Sequence, residues 1–414
     1  MAALAVPAHR LAILPLASGL NPPELVRATV GALSRALDAH GLAHVMVAAA
    51  GPAPDAILVV TGGTESLALA ALERVVGPAL LIAHPEQNSL PAALEVLARA
   101  RQLGRRGCIC LLSDREDGFA RLSRLAAYLD VRGRLTSARL GRIGLPSDWL
   151  VASMPGAAAV EETWGPRVVD VPIEEVRDAM ARASGGEAAA IARDFLAAAS
   201  AVAEPSPADV ERAARVAVAL RDVTARHRLD ACAVRCFDLV VDERTTGCLA
   251  LSWLLDRGVV AGCEGDLPAT ITMMWLDAMT GEPAFLANPQ DVDPAANMVA
   301  LAHCTIARRM VSAYALRSHF ESSLGVGLAG VLEPGDATVA RVGGPDLRSL
   351  WASDARIVGG GQHERRCRTQ VQVRLVGEAA AMLTQPLGNH VVLARGHWAA
   401  ALREYHSLFV ARPD

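Results

Sequence analysis

The sequence has few aromatic residues, no long uncharged apolar run and no excess of positive charge. Phenylalanine, tryptophan and tyrosine together make up 4% of its 414 residues, and small apolar residues dominate. That composition is typical of closely packed α/β layers. The lack of a charge-free run of membrane-spanning length argues against a transmembrane helix. The net charge of −4 argues against a protein that binds nucleic acid or an anionic membrane.

The sequence also lacks the signs of a secreted protein. Residues 1–10 are apolar but do not have the charged, apolar and cleavage regions of a signal peptide in order. The eight cysteines are scattered, and a disulfide framework is not expected in a chain of this size. We therefore expect reduced thiols and a cytoplasmic location.

A chain of 414 residues exceeds one ordinary hydrophobic core, so several domains are expected. Strands and helices alternate in the first two thirds, which predicts parallel sheets. The predicted fold class is α/β, with two Rossmann-like α/β domains followed by a β-rich, barrel-like C-terminal domain. The predicted domains are 1–138, 139–283 (the domain that carries Glu264) and 284–414.

Local patterns give the approximate elements. An apolar run predicts a first strand at 11–16, and Pro23 opens the first helix. Two long helices are expected at 187–203 and 207–228, and Gly185 and Gly186 are expected to end the helix before them. Short strands in the C-terminal domain are predicted at 284–287, 298–303, 326–331, 337–343, 369–376 and 390–394.

The stretch from Cys263 to Cys304 holds the strongest candidates for chemistry. Glu264 and Asp266 stand between small residues, after a predicted strand and before a predicted helix. Asp266 followed by Pro268 is typical of a helix N-cap, and it could instead brace a neighbouring group. Glu264 has no such structural role, so it is the better candidate for function.

Further ligand-type side chains follow in the same stretch and beyond it. Asn288, Asp291 and Asp293 lie in a loop that contains proline, and His303 ends an apolar run. Carboxylates and imidazoles suit a divalent cation and acid–base chemistry. None of the spacings matches a compact metal motif such as HExxH. A histidine at the end of an apolar run also suits a core position.

Two other patterns have both a structural and a functional interpretation. Gly62 and Gly63 indicate a tight strand-to-helix turn, or a phosphate cradle at a helix N-terminus. The basic segment 365–368 indicates a solvated strand edge, or an edge that binds anions or sugar hydroxyls through forked guanidinium donors.

The chain resembles the L-fucose isomerase and L-arabinose isomerase family, as an atypical member. The clearest similarity covers roughly residues 230–395, with weaker matches at 61–65 and 88–90. The residues that carry the resemblance are Cys263-Glu264-Gly265-Asp266, 284–289, Ala302-His303-Cys304, His319-Phe320-Glu321-Ser322 and Gly388-Asn389-His390.

The resemblance implies a metal-dependent aldose–ketose isomerase, commonly hexameric, with Mn²⁺ as cofactor. The family's acidic metal ligand falls on Glu264 and its histidine ligands on His303 and His390. The second acid of the fucose branch falls on Asn288, where this sequence departs from the pattern. An amide cannot remove a proton from carbon. Either Glu264 serves as both acid and base, or Asp291 or Asp293 takes part, or the chemistry differs. Weaker metal binding is also expected.

The resulting hypothesis is an isomerase that converts an open-chain sugar through an enediolate, with Glu264 and Asp291 catalytic. The arginines near motif ends favour a sugar with an anionic substituent, such as a sulfo-sugar. The alternatives are a sugar-binding or regulatory protein without catalysis, and a metal-dependent epimerase or lyase. The expected partners are a sugar and further copies of the chain. The residues predicted to bind substrate are Asn288, Arg235, His319, Glu321 and Arg368.

Overall fold

The structure is a computed structural model that describes residues 9–113 and 117–412. Its residues divide into two compact units. The smaller unit comprises 9–133 together with 404–412, and the larger one comprises Arg134–Arg403. The predicted division into three domains at 138 and 283 stays a prediction.

Up to residue 137, strands and helices alternate except for two successive strands. They are β1 (Leu11–Leu16), α1 (Pro23–Ala39), β2 (His44–Met46), β3 (Ala56–Val59), α2 (Glu65–Leu72), β4 (Ala79–Ala83), α3 (Ser89–Gln102), β5 (Gly107–Leu111) and α4 (Asp117–Ser137). The five strands form one parallel sheet in the order β2-β1-β3-β4-β5. The parallel sheet expected from the alternation is confirmed. Gly62 and Gly63 lie in the turn between β3 and α2.

The larger unit opens with a second parallel sheet and its helices. Its first elements are β6 (Arg139–Ile143), α5 (Ala157–Trp164), β7 (Arg167–Val171), α6 (Ile173–Arg182), α7 (Gly185–Ala198), β8 (Ala201–Val202), α8 (Pro207–His227), β9 (Ala231–Val234), α9 (Phe237–Glu243), α10 (Cys248–Leu255), β10 (Val260–Cys263) and α11 (Leu267–Thr280). Strands β10, β9, β6 and β7 lie side by side in that order, all parallel.

The rest of the larger unit is β-rich. It contains β11 (Phe285–Asp293), β12 (Met298–His303), β13 (Ala313–Arg317), β14 (Gly327–Val331), β15 (Gly335–Gly343), β16 (Ser349–Gly360), β17 (Thr369–Leu375), α12 (Ala381–Thr384), β18 (Val391–Arg395) and α13 (Ala399–Phe409), which runs on into the smaller unit. Six of the strands close an antiparallel barrel in the order β11-β12-β17-β16-β15-β18. The predicted barrel-like part is confirmed.

Helix α11 connects the parallel sheet to the barrel and packs on both. It begins where the sequence predicts, because the Asp266 carboxylate accepts a hydrogen bond from the Ala269 amide at 2.8 Å. It ends at Gly281, whose φ of +72° is readily adopted only by glycine. Almost all of its side chains are buried, so the helix fixes the position of the loop that precedes it.

Two predictions on the α-helices were wrong in detail. Gly185 begins α7 instead of ending α6, because the Ser184 hydroxyl caps the new helix. Helix α7 ends at Ala198, and Ala201–Val202 instead forms a short strand against β13. Among the described residues, no helix is both long and apolar enough to cross a membrane.

Candidate metal centre

Glu264 is held in place by the turn that follows β10. Its backbone has φ +62°, and Gly265 follows with φ +72°. A Cβ atom on Gly265 would lie 2.8 Å from the Cα of Pro146, so only glycine fits there. The Ser147 amide donates to the Glu264 carbonyl at 2.9 Å. The Trp149 indole donates to Oε2 of the carboxylate at 2.6 Å. One carboxylate oxygen is therefore fixed by tryptophan.

The barrel supplies two histidines to the same place. His303 ends β12 and His390 precedes β18, and both strands pair with β11 near its residues 287 and 288. The two rings meet edge to face, with centroids 5.7 Å apart. Both histidines are buried. The barrel register therefore brings together residues that lie far apart in the sequence.

The second carboxylate oxygen of Glu264 faces both imidazoles. Its Oε1 atom lies 3.4 Å from Nε2 of His390 and 3.8 Å from Nε2 of His303. One potential ligand atom from each of the three residues lies within 4.8 Å of the others. In the part of the chain that the structure describes, this is the one such group of three metal-ligating side chains found. The three predicted ligands are thus brought together.

His390 is oriented by Asp266. Its Nδ1 lies 2.8 Å from Oδ2 of Asp266, while its buried Nε2 has no hydrogen-bond partner among the described residues. Asp266 also accepts from the Arg341 guanidinium at 3.2 Å. With Nδ1 donating to the carboxylate, Nε2 presents its lone pair to the cluster, as in a carboxylate–histidine–metal arrangement. Asp266 therefore serves both as the expected helix cap and as a brace.

Without a bound cation, Glu264, His303 and His390 favour different protonation states. Burial lowers the pKa of His303. Burial also opposes the charged form of His390, but Asp266 and Glu264 outweigh it and raise the pKa of His390 to about 9. Burial likewise works against ionisation of Glu264, yet the two histidines hold its pKa well below the ordinary value. A bound cation therefore has to displace a proton from His390.

The cluster opens into a cavity of about 470 Å³. Of the predicted residues, Glu264, Asn288, His303, His319 and Glu321 line it. The remaining lining residues are Trp149, Cys236, Phe237, Val240, Thr246, Gly247, Cys248, Cys263, Gln290, Cys304, Phe320, Cys367 and Asn389. The lining has no arginine, so the described part of this chain places no guanidinium on the wall.

Besides the predicted ligand His390, three residues predicted for catalysis or substrate binding do not line the cavity. Asp291 follows a β-bulge in β11 and pairs with Arg366 at 3.8 Å, whereas Asn288 and Gln290 line the cavity. The Arg235 guanidinium bonds Asp238 at 2.8 Å. The roles assigned to Asp291 and Arg235 stay predictions.

Arg368 is the third of these residues. Its Nε donates to the Ser318 carbonyl at 2.7 Å, and its guanidinium lies 3.5 Å from Glu364. Its predicted role in binding substrate also stays a prediction.

Aromatic rings form the part of the wall beside Glu264. Trp149 and His319 both make edge-to-face contacts with Phe237, at centroid distances of 4.8 and 5.5 Å. Burial, with the nearby His303 and Arg368, lowers the pKa of His319 to about 4, so this imidazole is neutral at pH 7. Sequence reasoning missed Trp149, because no local pattern links it to Glu264, and it assigned no role to Asn389 although this residue stands in the Gly388-Asn389-His390 motif.

Comparison with known proteins gives one informative similarity. Part of the chain resembles a sugar isomerase. Over 143 residues the sequence is 29% identical to the sulfoquinovose isomerase of Alkalicoccus urumqiensis. The match covers 33% of this chain and 32% of that protein, so it spans about a third of the relative's length. No protein-family model matches the chain.

Proposed function

We propose that the protein is a metal-dependent aldose–ketose sugar isomerase that works through an enediolate. The observation that carries the proposal is the Glu264–His303–His390 cluster, with the unpartnered Nε2 of His390 facing Glu264. The cluster lies beside a cavity of about 470 Å³, a size that suits a small sugar. The partial similarity to sulfoquinovose isomerase supports the same class of reaction.

The residues fit a divalent transition-metal cation, and we propose Mn²⁺. Glu264, His303 and His390 would hold it with one carboxylate oxygen and two imidazole nitrogens. When bound, the cation would stabilise the negative charge that develops on substrate oxygens. Asp266 keeps His390 in the required tautomer, and Trp149 fixes the second oxygen of Glu264.

Proton transfer between neighbouring carbons needs a base on the cavity wall. Asn288 cannot serve, because an amide does not accept a proton at neutral pH. Two carboxylates line the cavity in the described part of the chain, those of Glu264 and Glu321. We propose that these two share the proton transfer, instead of Glu264 and Asp291. The chain contains no lysine, which excludes a Schiff base between a lysine of this chain and the sugar carbonyl.

We propose a sulfo-sugar as the first substrate to test, because the similar isomerase is named for sulfoquinovose. A sulfonate needs a cationic or strongly donating site, and among the described residues no arginine lines the cavity. Of the arginines predicted from the sequence, Arg368 acts electrostatically on His319 of the cavity wall, although its Nε donates to a backbone carbonyl. Neutral aldoses are therefore the substrates with which sulfoquinovose should be compared.

The test is product analysis by NMR for sulfoquinovose, glucose, L-fucose and L-arabinose with Mn²⁺. Conversion of sulfoquinovose alone would support both the reaction and the anionic substituent. Conversion of only neutral sugars would support the isomerase and refute the sulfo-sugar. If none of the four is converted, the proposed reaction on these sugars is wrong.

Asn288 favours one second candidate, a sugar-binding protein on the same scaffold. Its amide lines the cavity where the related pattern has an acid, and Asn389 donates to its oxygen at 3.4 Å. Tight sugar binding, measured by calorimetry, without any conversion would favour this candidate. The homohexamer and the cytoplasmic location remain proposals, and sedimentation of the purified chain tests the first.

A further inference from the structure

Five of the eight cysteines line the cavity beside the candidate metal centre. They come from separate segments, and the fold brings them to the same cavity. All five are buried, with free thiols. These cysteines are Cys236, Cys248, Cys263, Cys304 and Cys367.

Two of these thiols are already in contact. The sulfur atoms of Cys236 and Cys263 lie 2.7 Å apart. Cys263 ends β10 opposite Val234, the last residue of β9, and the Cys236 amide donates to the Val234 carbonyl at 2.8 Å. Two adjacent parallel strands therefore hold the two sulfurs at one edge of the sheet. A disulfide bond of about 2.05 Å requires a further approach of only about 0.7 Å.

Each cysteine of this pair directly precedes a residue that belongs to the metal centre or packs beside it. Cys263 is followed by Glu264. Cys236 is followed by Phe237, whose ring packs edge to face on Trp149, the donor to Glu264. A bond between the two sulfurs would therefore join the two segments that position the Glu264 carboxylate.

We propose that Cys236 and Cys263 form a redox-sensitive pair whose disulfide weakens cation binding at Glu264, His303 and His390. The oxidant is a small two-electron oxidant such as hydrogen peroxide, which can enter the cavity that both side chains line. One sulfur attacks the peroxide, the O–O bond breaks, and a sulfenic acid and water form. The second sulfur displaces the hydroxyl group as water and forms the S–S bond. Two thiols are oxidised and one peroxide is reduced.

Disulfide bonds among the other cysteines are the competing outcomes of oxidation. Cys248, Cys304 and Cys367 pack together in one cluster that also lines the cavity. Cys108 and Cys110 lie one residue apart in β5 of the smaller unit. The thiols of Cys248 and Cys304, of Cys304 and Cys367, and of Cys108 and Cys110 also interact through side-chain hydrogen bonds, so each of these pairs is a competitor of Cys236 and Cys263.

The experiment uses the full chain, fully reduced and free of metal, titrated with hydrogen peroxide. Peptide mapping by mass spectrometry then locates the bridged cysteines. We expect a mass loss of about 2 Da in one species that links Cys236 to Cys263 and is reversed by dithiothreitol. C367S, which removes another thiol that lines the cavity, should form the same bridge, whereas C236S and C263S should not.

Several results would overturn the proposed pair. These are a bridge among other cysteines, sulfinic or sulfonic acids without a bridge, and no loss of thiols. If a serine variant fails to fold, the mapping of wild type and C367S still decides the question.

The second measurement is Mn²⁺ affinity by calorimetry, comparing each protein with its own reduced form. The oxidised wild type should bind at least about tenfold more weakly, as expected when groups around metal ligands move. An unchanged affinity in the bridged protein would refute the link to the centre. This affinity measurement rests on the proposed metal centre. If the reduced protein binds no Mn²⁺, that centre fails, while the mapping still decides whether the pair exists.

Discussion

The Asp266 carboxylate lies 2.8 Å from Nδ1 of His390, and the same side chain caps helix α11. One residue thereby connects the helix that packs on the barrel with a proposed metal ligand. The connection also explains why the buried Asp266 stays charged. Burial raises the pKa of this carboxyl, but Arg341 and His390 outweigh burial and lower it.

Replacing Asp266 by asparagine should weaken Mn²⁺ binding by about 10–100-fold, because the neutral amide no longer supports the imidazole as a ligand. Asparagine remains a good N-cap, so helix α11 should persist. Calorimetric titration with Mn²⁺ measures the effect. The control is Ser206→Ala, which removes the N-cap of α8 and should leave Mn²⁺ affinity unchanged. Equal affinity in D266N and wild type would refute the bracing role.

Replacing Trp149 by phenylalanine removes the hydrogen bond to Glu264 and keeps an aromatic ring against Phe237. We expect metal affinity or kcat/KM to fall by about tenfold or more. The matched control is Trp164→Phe, which removes an indole hydrogen bond to the Leu347 carbonyl. The control should cost about 1 kcal/mol of stability and leave metal affinity unchanged. Similar losses of affinity in both variants would contradict a specific role of Trp149.

Replacing Arg341 by methionine breaks its buried ion pair with Asp266 and leaves His390 as the remaining positive charge beside that carboxylate. The free energy of unfolding should fall by about 3–5 kcal/mol, the usual cost of removing one partner of a buried ion pair. Urea unfolding followed by circular dichroism measures it. The control Arg356→Met breaks an exposed pair with Asp336 in the same barrel, and its effect should stay within about 1 kcal/mol. A small effect in R341M would contradict the account.

Asp277 on α11 should make stability depend on pH. Burial raises its pKa to about 6, although Arg309 and Arg134 oppose the shift. The unfolded chain releases this proton at lower pH than the folded protein does. Stability from this group is therefore highest below about pH 4, falls as the pH rises to about 6 and stays low above it.

Asp277→Asn should consequently be more stable than wild type at pH 8, by up to about 3 kcal/mol, with the difference vanishing near pH 4. Denaturant unfolding of both proteins at the two pH values measures it. The exposed Asp336→Asn serves as the matched control and should give no such gain. A D277N protein that is no more stable at pH 8 than at pH 4, relative to wild type, would contradict the burial argument.

The sequence allowed much of the fold to be predicted. Strands β1 and β12 have the predicted limits and helix α11 has the predicted start, because their apolar runs are bounded by turn or capping residues. Strands β13 and β16 were missed, although both alternate between more and less buried side chains. The mistaken end of α6 shows a limit of local patterns, since Gly185 follows a serine that can cap a new helix.

The metal ligands of the candidate site could be predicted from the sequence, but fewer of the residues around them could. Glu264, His303 and His390 were named from motifs, and the barrel register brings them together. Asp291 lies next to a β-bulge in β11, does not line the cavity and faces Arg366 instead, and nothing in its neighbours in the sequence indicates that arrangement. The contacts of Cys236 with Cys263 depend on strand order, which a single sequence does not reveal.

The most direct test of the central claim is metal-dependent exchange of solvent deuterium into the sugar. Sulfoquinovose and neutral aldoses would be incubated in D₂O with wild type, with added Mn²⁺ and separately with a chelator, and followed by NMR. We predict that deuterium enters at the carbon next to the carbonyl with Mn²⁺, and that exchange is lost with chelator and in E264Q. Exchange that persists without metal, or the absence of exchange from a protein shown to bind both Mn²⁺ and sugar, would contradict the account.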